Sequence, residues 1–250
     1  MGSRQQAIDA MTRRGYVIVP ALWDAAECER MRRALHELWQ TMGAGDTGGE
    51  FGFIFHPVLP RLPILAELYA RSEIQDLVGA ILQDEPRLAH NGALLSDRRR
   101  RFTSWHYHRP DSTEPCVWDL ARAQRPRRIE RVLAQVYVDG SNAETGELLL
   151  LARAVDDPLA PPRRDAGVEW PEQTVITCPP GSLVIFDQSV FHAARGSQSD
   201  RPRHLIGGHY QGWSNPTPHR EDNVALTRGL TGTLIDHPGL VPLVLPPDPG

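Results

Sequence analysis

The 250-residue chain predicts a mainly β fold with flanking helices in a single domain, and three observations carry that expectation. Beyond about residue 130, short apolar runs separated by Gly, Pro, Asn and Asp follow one another: Val132 to Val138, Glu147 to Leu151, Gln173 to Cys178, Ser182 to Phe186 and His204 to Tyr210. Such punctuation suits a sandwich or barrel better than βαβ units. Ahead of these runs, two stretches repeat apolar residues at helical spacing. Finally, 40% apolar residues supply a real core, and β-rich chains of this length often form one unit.

After a polar start, Gly15 to Pro20 reads GYVIVP, a short β-branched strand closed by proline. Asp24 suits a helix cap, and Cys28, Met31, Leu35, Leu38 and Met42 then recur on one helical stripe, with Arg30, Arg32, Arg33 and Glu37 elsewhere. Gly43, Gly45, Gly48 and Gly49 end that helix. A second is predicted from about Glu73 to Leu82, with Ile74, Leu77, Val78 and Ile81 on one face and Pro86 beyond its end. Pro158, Pro161 and Pro162 with Arg163 to Asp165 read as a loop, and the tail from Pro238 to Gly250 reads as too proline-rich for regular structure.

Composition excludes several classes of function. A net charge of -4 gives no general attraction to phosphate backbones or anionic lipid, so neither nucleic acid nor a membrane is an expected partner. No apolar run reaches the length of roughly 20 residues that spans a bilayer. Cys28, Cys116 and Cys178 are odd in number and form no CxxC pair, which speaks against a disulfide framework or thiolate zinc and fits a soluble cytoplasmic protein. All 27 basic residues are arginine. Mechanisms that need a lysine amine, such as a cofactor aldimine or a phosphate-loop lysine, are therefore excluded.

Two clusters can carry chemistry. In Ser104-Trp105-His106-Tyr107-His108-Arg109-Pro110-Asp111, extended backbone puts His106 and His108 on one face and Trp105 and Tyr107 on the other, so two imidazoles can converge on one ion. Further on, Pro180-Gly181-Ser182 feeds the apolar run Leu183 to Phe186, His192 follows, and a returning strand carries Arg203, whose planar fork suits a carboxylate. Taken singly, each residue also has a bland reading as a surface or core side chain.

Together the clusters resemble the phytanoyl-CoA dioxygenase family of iron- and 2-oxoglutarate-dependent oxygenases. Gly15 to Pro20 with the helix after Asp24 is similar to that family's opening, and Trp105-His106 is similar to its first metal-ligand motif. Glu144-Thr145-Gly146-Glu147-Leu148 resembles its turn between strands, and Pro180 to Arg203 matches it in order and spacing. The resemblance implies a double-stranded β-helix, a cupin-like jelly roll. It implies helical support over about 1–90, a jelly-roll core over about 91–212 and an irregular segment over about 213–250. It further implies that His106 and His192 bind Fe(II), that Arg203 pairs with the distal carboxylate of 2-oxoglutarate, and that O2 oxidises a small-molecule substrate while the keto acid becomes succinate.

At position 108 the family pattern has aspartate and this chain has histidine. Three readings stay open: His108 completes a three-histidine site, Asp111 swings in as the carboxylate, or the metal site is degraded and the fold serves as a binding scaffold. Asn91 and Gln135 are further candidates to hold 2-oxoglutarate, as amides in predicted strands. Trp105, Tyr107, Trp118 and Trp213 are candidates for the substrate pocket. The arginines Arg98 to Arg101, with Arg125, Arg127, Arg128 and Arg131, read either as a solvated face or as a grip for an anionic substrate.

Overall fold

The computed structural model describes residues 4–108, 128–157, 165–216 and 231–246. Six strands form the larger sheet: β1 (Tyr16–Val19), β2 (Phe53–Phe55), β3 (Pro86–Ser96), β5 (Arg131–Tyr137), β8 (Ser182–Asp187) and β10 (Arg203–Gly212). Four form the smaller one: β4 (Thr103–His106), β6 (Leu148–Leu150), β7 (Thr174–Ile176) and β9 (His192–Ala194). The strand orders are β1-β8-β5-β10-β3-β2 and β4-β9-β6-β7, antiparallel throughout. From β3 onward the chain alternates between sheets, β6 and β7 aside. That winding makes the two sheets the walls of a jelly roll.

Side-chain alternation sorts the strands into three layers. Leu133, Tyr137, Val184, Phe186 and Leu205 of the larger sheet meet Leu148, Leu150 and Ile176 of the smaller one inside the barrel. The intervening Val132, Ala134, Val136, Leu183, Ile185 and Ile206 face outward into a second core shared with Met11, Cys28, Met31, Leu35, Ile74, Val78 and Ile81. Those residues come from α1 (Arg4–Arg14), α2 (Ala25–Thr41) and α4 (Ser72–Leu82); α3 (Ala66–Tyr69) precedes the last of these. A third cluster lies behind the smaller sheet, where Trp105 stacks on Trp170 with ring centroids 4.4 Å apart and planes 6° from parallel.

Local chemistry explains the helix starts. The carboxylate of Asp24 accepts the Glu27 amide, and Glu27 in turn accepts the Asp24 amide, both at 2.8 Å, which closes a reciprocal cap on α2. The polar start contains α1, whose Ala7, Ala10 and Met11 are buried at helical spacing; small alanines hid the stripe. Residues assigned to helical support also add β1 and β2 to the larger sheet, and its strand β3 begins at Pro86. The C-terminal segment, read as irregular, contains α5 (Thr231–Asp236), a tight turn at Pro238–Leu240 and α6 (Val241–Val244). Proline is compatible with both later turns because it stands in the first positions, where the missing N–H would have had no helical partner. Leu240, Leu243 and Val244 are fully buried in the outer core. The stretch from Pro158 to Arg164 lies outside the described residues.

Trp170 fills the layer that backs the smaller sheet, so Trp170→Ala is expected to lower the free energy of unfolding by about 3–5 kcal/mol. Urea denaturation checks this, and a loss under about 1 kcal/mol would show that the stacked pair does not support the sheet.

Candidate metal centre

His106 ends β4, and its partner across the antiparallel pair is His192, the first residue of β9. His108 lies two residues on, returned to the same face by alternation, with its backbone N–H donated to the Gln188 carbonyl at 2.9 Å. The three imidazoles converge. One ligand atom from each lies within 4.8 Å of the other two, and ring centroids are 4.1 Å apart for His106 and His192, 5.0 Å for His108 and His192, and 5.4 Å for His106 and His108.

Their tautomers are set from behind. His106 Nδ1 lies 2.7 Å from the Ser104 carbonyl, and His192 Nδ1 lies 3.0 Å from the Val190 carbonyl. A carbonyl only accepts, so each Nδ1 carries the proton and each Nε2 keeps its lone pair for a metal. Burial, with a smaller push from His106, holds the His192 imidazole well below its ordinary value and therefore neutral. A divalent cation needs that form. Three neutral nitrogen donors on one concave face fit a first-row divalent metal, iron included.

Arg203 opens β10 on the inward face. It is buried at 5% exposure; its Nη1 donates to the Thr145 and Gly146 carbonyls at 3.1 and 2.8 Å, and its Nε has no hydrogen-bond partner. None of the ion pairs among the described residues joins Arg203 to a carboxylate. Burial pulls its pKa down, and the weaker opposing influence of Tyr137, Asp139 and Cys178 does not offset it. A guanidinium in that state fits the distal carboxylate of 2-oxoglutarate. Gln135 faces the same interior, opposite Gly207 and Val184, and its Oε1 accepts the Tyr137 hydroxyl at 3.1 Å. Its amide nitrogen is then the donor on that wall.

Other expectations are corrected. Asn91 points away from the barrel: its Oδ1 accepts the Val58 and Leu59 amides, both at 2.9 Å, so it braces the outer core and does not reach the co-substrate. Trp105 and Tyr107 are not pocket residues, because the alternation that turns His106 and His108 inward turns them out, into the cluster with Trp170 and Phe191. Trp213 lies four residues beyond His209, its indole N–H bonded to the Pro242 carbonyl and the Arg87 guanidinium over its ring. Asp111, Trp118, Arg125 and Arg127 lie outside the described residues. Within Arg98 to Arg101, Arg98 and Arg99 form exposed ion pairs, but Arg100 is buried at 2% exposure and is not part of a solvated face.

Two residues passed over in the sequence belong to the site. His90 of β3 and His209 of β10 are register partners on the inward face, with ring centroids 4.9 Å apart, and His209 lies 5.1 Å from His108. Parity with Arg203 along β10 was the available signal for His209.

A jelly roll that presents three imidazoles on one sheet and an inward arginine on the other is the architecture of a non-haem metal oxygenase. Residues 11–205 match the phytanoyl-CoA dioxygenase (PhyH) family, and the chain belongs to it. It is a non-haem iron, 2-oxoglutarate-dependent oxygenase. The fold is similar to that of the non-heme alpha ketoglutarate dependent carbocyclase SnoK from nogalamycin biosynthesis, at 18% identity, 91% of each chain and a TM-score of 0.68. It is also similar to HygX from Streptomyces hygroscopicus with nickel and 2-oxoglutarate bound (14% identity, 85% of this chain and 88% of that one, TM-score 0.66). A third similar fold is EctD from S. alaskensis with 2-oxoglutarate and 5-hydroxyectoine (19% identity, 86% and 77%, TM-score 0.64). Among curated proteins, none matches the sequence.

The neutral His192 has a pH signature in the metal-free protein. Its folded pKa lies below the ordinary 6.5, so the unfolded chain takes up the proton first. Its contribution is intact above that value, and is lost as pH falls from 6.5 toward the folded pKa. The unfolding free energy should therefore fall with acidification below pH 6.5, and His192→Gln should reduce that slope by up to about 1.4 kcal/mol per pH unit. An unchanged slope in the variant would contradict a buried, neutral His192.

Proposed function

We propose that this enzyme oxidises an unactivated C–H bond of a small polar molecule, by hydroxylation or by a related cyclisation or desaturation, at a working three-histidine centre. The observation that carries this reading is the convergence of His106, His108 and His192 in the barrel that also buries Arg203 without a carboxylate partner. His106 and His192 would hold iron through Nε2, with an imidazole nitrogen of His108 as the third ligand. When bound, iron with 2-oxoglutarate directs one oxygen atom of O2 into succinate, with release of CO2, and the other into the C–H bond in the hydroxylation case.

The protein's part is to bind, orient and exclude water. Arg203 binds the distal carboxylate, and Gln135 donates to the keto acid from β5. Substrate is held on the other side of the metal ligands, where the ring of His209 stands beside His108 and the ring of His90 packs on His209. Phe51, 37% exposed, sets its ring edge-on to His106 at 6.1 Å and borders the mouth. Similarity to a carbocyclase of nogalamycin biosynthesis, together with a chain whose basic residues are all arginine, supports a role in bacterial secondary metabolism. Both described cysteines, Cys28 and Cys178, are free and buried, which supports a reducing cytoplasm. Among the described residues, no helix is long and apolar enough to cross a membrane.

Anaerobic addition of ferrous iron and 2-oxoglutarate should give a visible chelate band, and admission of air should give succinate. Arg203→Leu should weaken 2-oxoglutarate binding by roughly 100-fold or more. No band and no succinate from the wild type would remove the reading. His108→Asp should retain metal and lose turnover by at least roughly tenfold, since the charge at the metal changes by one unit; a gain of turnover would instead mark a decayed carboxylate site.

A further inference from the structure

The turn that holds Arg203 holds a second buried arginine. Arg100 lies in the connection between β3 and β4, and its Nη2 donates to the Thr145 carbonyl at 3.2 Å and to the Arg195 carbonyl at 2.6 Å. Its Nη1 reaches Thr103 Oγ1 at 3.4 Å and the Arg101 carbonyl at 3.5 Å, while its Nε is buried with no partner. Arg203 donates to the same Thr145 oxygen at 3.1 Å, so the two guanidiniums sit within two hydrogen-bond lengths of each other. Gly146 makes the arrangement possible. Its φ is +77°, and a Cβ there would collide with the Arg100 guanidinium and the Arg195 carbonyl.

Both cations are nearly inaccessible, at 2% and 5% exposure, and none of the ion pairs among the described residues gives either a carboxylate. The surrounding acids are engaged elsewhere: Asp97 by Arg99, Asp200 by Arg98, Glu147 by Arg195, and Asp139, whose charge acts on Arg203 from a distance, by Arg32 and His204. Burial and the neighbouring Arg203 push Arg100 down to about 9. Carbonyl partners satisfy N–H groups but do not neutralise charge, and adjacent buried like charges are costly without an anion.

We propose that Arg100 and Arg203 form one two-guanidinium anion site, in which Arg100 is a positioning residue for the distal carboxylate of 2-oxoglutarate. The inference rests on the keto-acid reading for its ligand, though the anion site itself can be tested without it. Arg100 acts by its charge beside Arg203, and the carboxylate it favours carries the opposite one. A monocarboxylate keto acid, which has nothing to place there, is selected against.

The test uses the whole metal-free protein and reads the thermal midpoint with 2-oxoglutarate, succinate, sulfate and 2-oxobutyrate, at constant ionic strength. The wild type should be stabilised by the three dianions and not by 2-oxobutyrate. Arg100→Gln should weaken dianion binding by at least roughly tenfold, and Arg100→Lys, which keeps the charge, should recover most of it. With iron added, the KM for 2-oxoglutarate should rise in Arg100→Gln while kcat stays within about twofold. Arg100→Gln that binds dianions within twofold of the wild type overturns the proposal, and so does Arg100→Lys as weak as Arg100→Gln, which would mean that Arg100 only braces the turn. If neither variant folds, failure of every dianion to stabilise the wild type overturns it. Stabilisation by sulfate and succinate but not by 2-oxoglutarate would leave the anion site standing and remove the keto-acid reading.

Discussion

The pairing of β4 with β9 is the constraint on which the site depends. His106 and His192 are register partners across that ladder, so the distance between two of the three imidazoles is set by backbone hydrogen bonding and not by flexible side chains. A slip of one residue would turn one histidine into the layer behind the sheet, where Trp105, Trp170 and Phe191 leave no room. Packing on the outer side of the smaller sheet therefore fixes chemistry on its inner side. His108 depends on the same device, since its amide is tied to the Gln188 carbonyl, just beyond β8 and four residues before His192.

The larger sheet supplies the opposite wall in successive rungs. Arg203 stands at one end of β10, Leu205 and Gly207 follow on the inward face, and His209 comes level with His108. Glycine at 207 leaves space opposite Gln135, whose Cγ already lies 3.3 Å from where a Cβ would be. Between the buried arginine and the histidines, then, this wall carries Leu205 and Gly207, with Tyr137 and Gln135 beside them on β5.

Much of this was legible from alternation and order. Once His106 and His108 were placed inward, the outward fate of Trp105 and Tyr107 followed, and their assignment to a pocket contradicted the alternation that made the histidines ligands. Asn91 shows how narrow the margin is in a strand: its neighbour His90 faces the barrel and Asn91 the outer core, and a sequence with Asn and Gly at 91 and 92 carries no strong apolar pattern to tell the faces apart. Helix α1 escaped because its buried face is largely alanine, which barely alters hydropathy. Arg100 could not have been read at all. Four consecutive arginines look solvated in one dimension, and only the return of the Thr145–Gly146 turn buries the third.

Charge explains why histidine at 108 and two buried arginines belong in one molecule. No carboxylate joins the three imidazoles in the metal-ligating cluster among the described residues, so a bound divalent cation would keep its full charge against protein donors that are all neutral. Arg203 and Arg100 add positive charge at the other end of the barrel. An interior with neutral ligands and two cations is poorly compensated until a dianion enters. 2-Oxoglutarate carries one carboxylate for each end, so its binding and that of the metal should favour one another more strongly here than where an aspartate has already removed one unit of charge. With histidine as the ligand at 108, the neutralising role would thereby pass from the protein to the co-substrate.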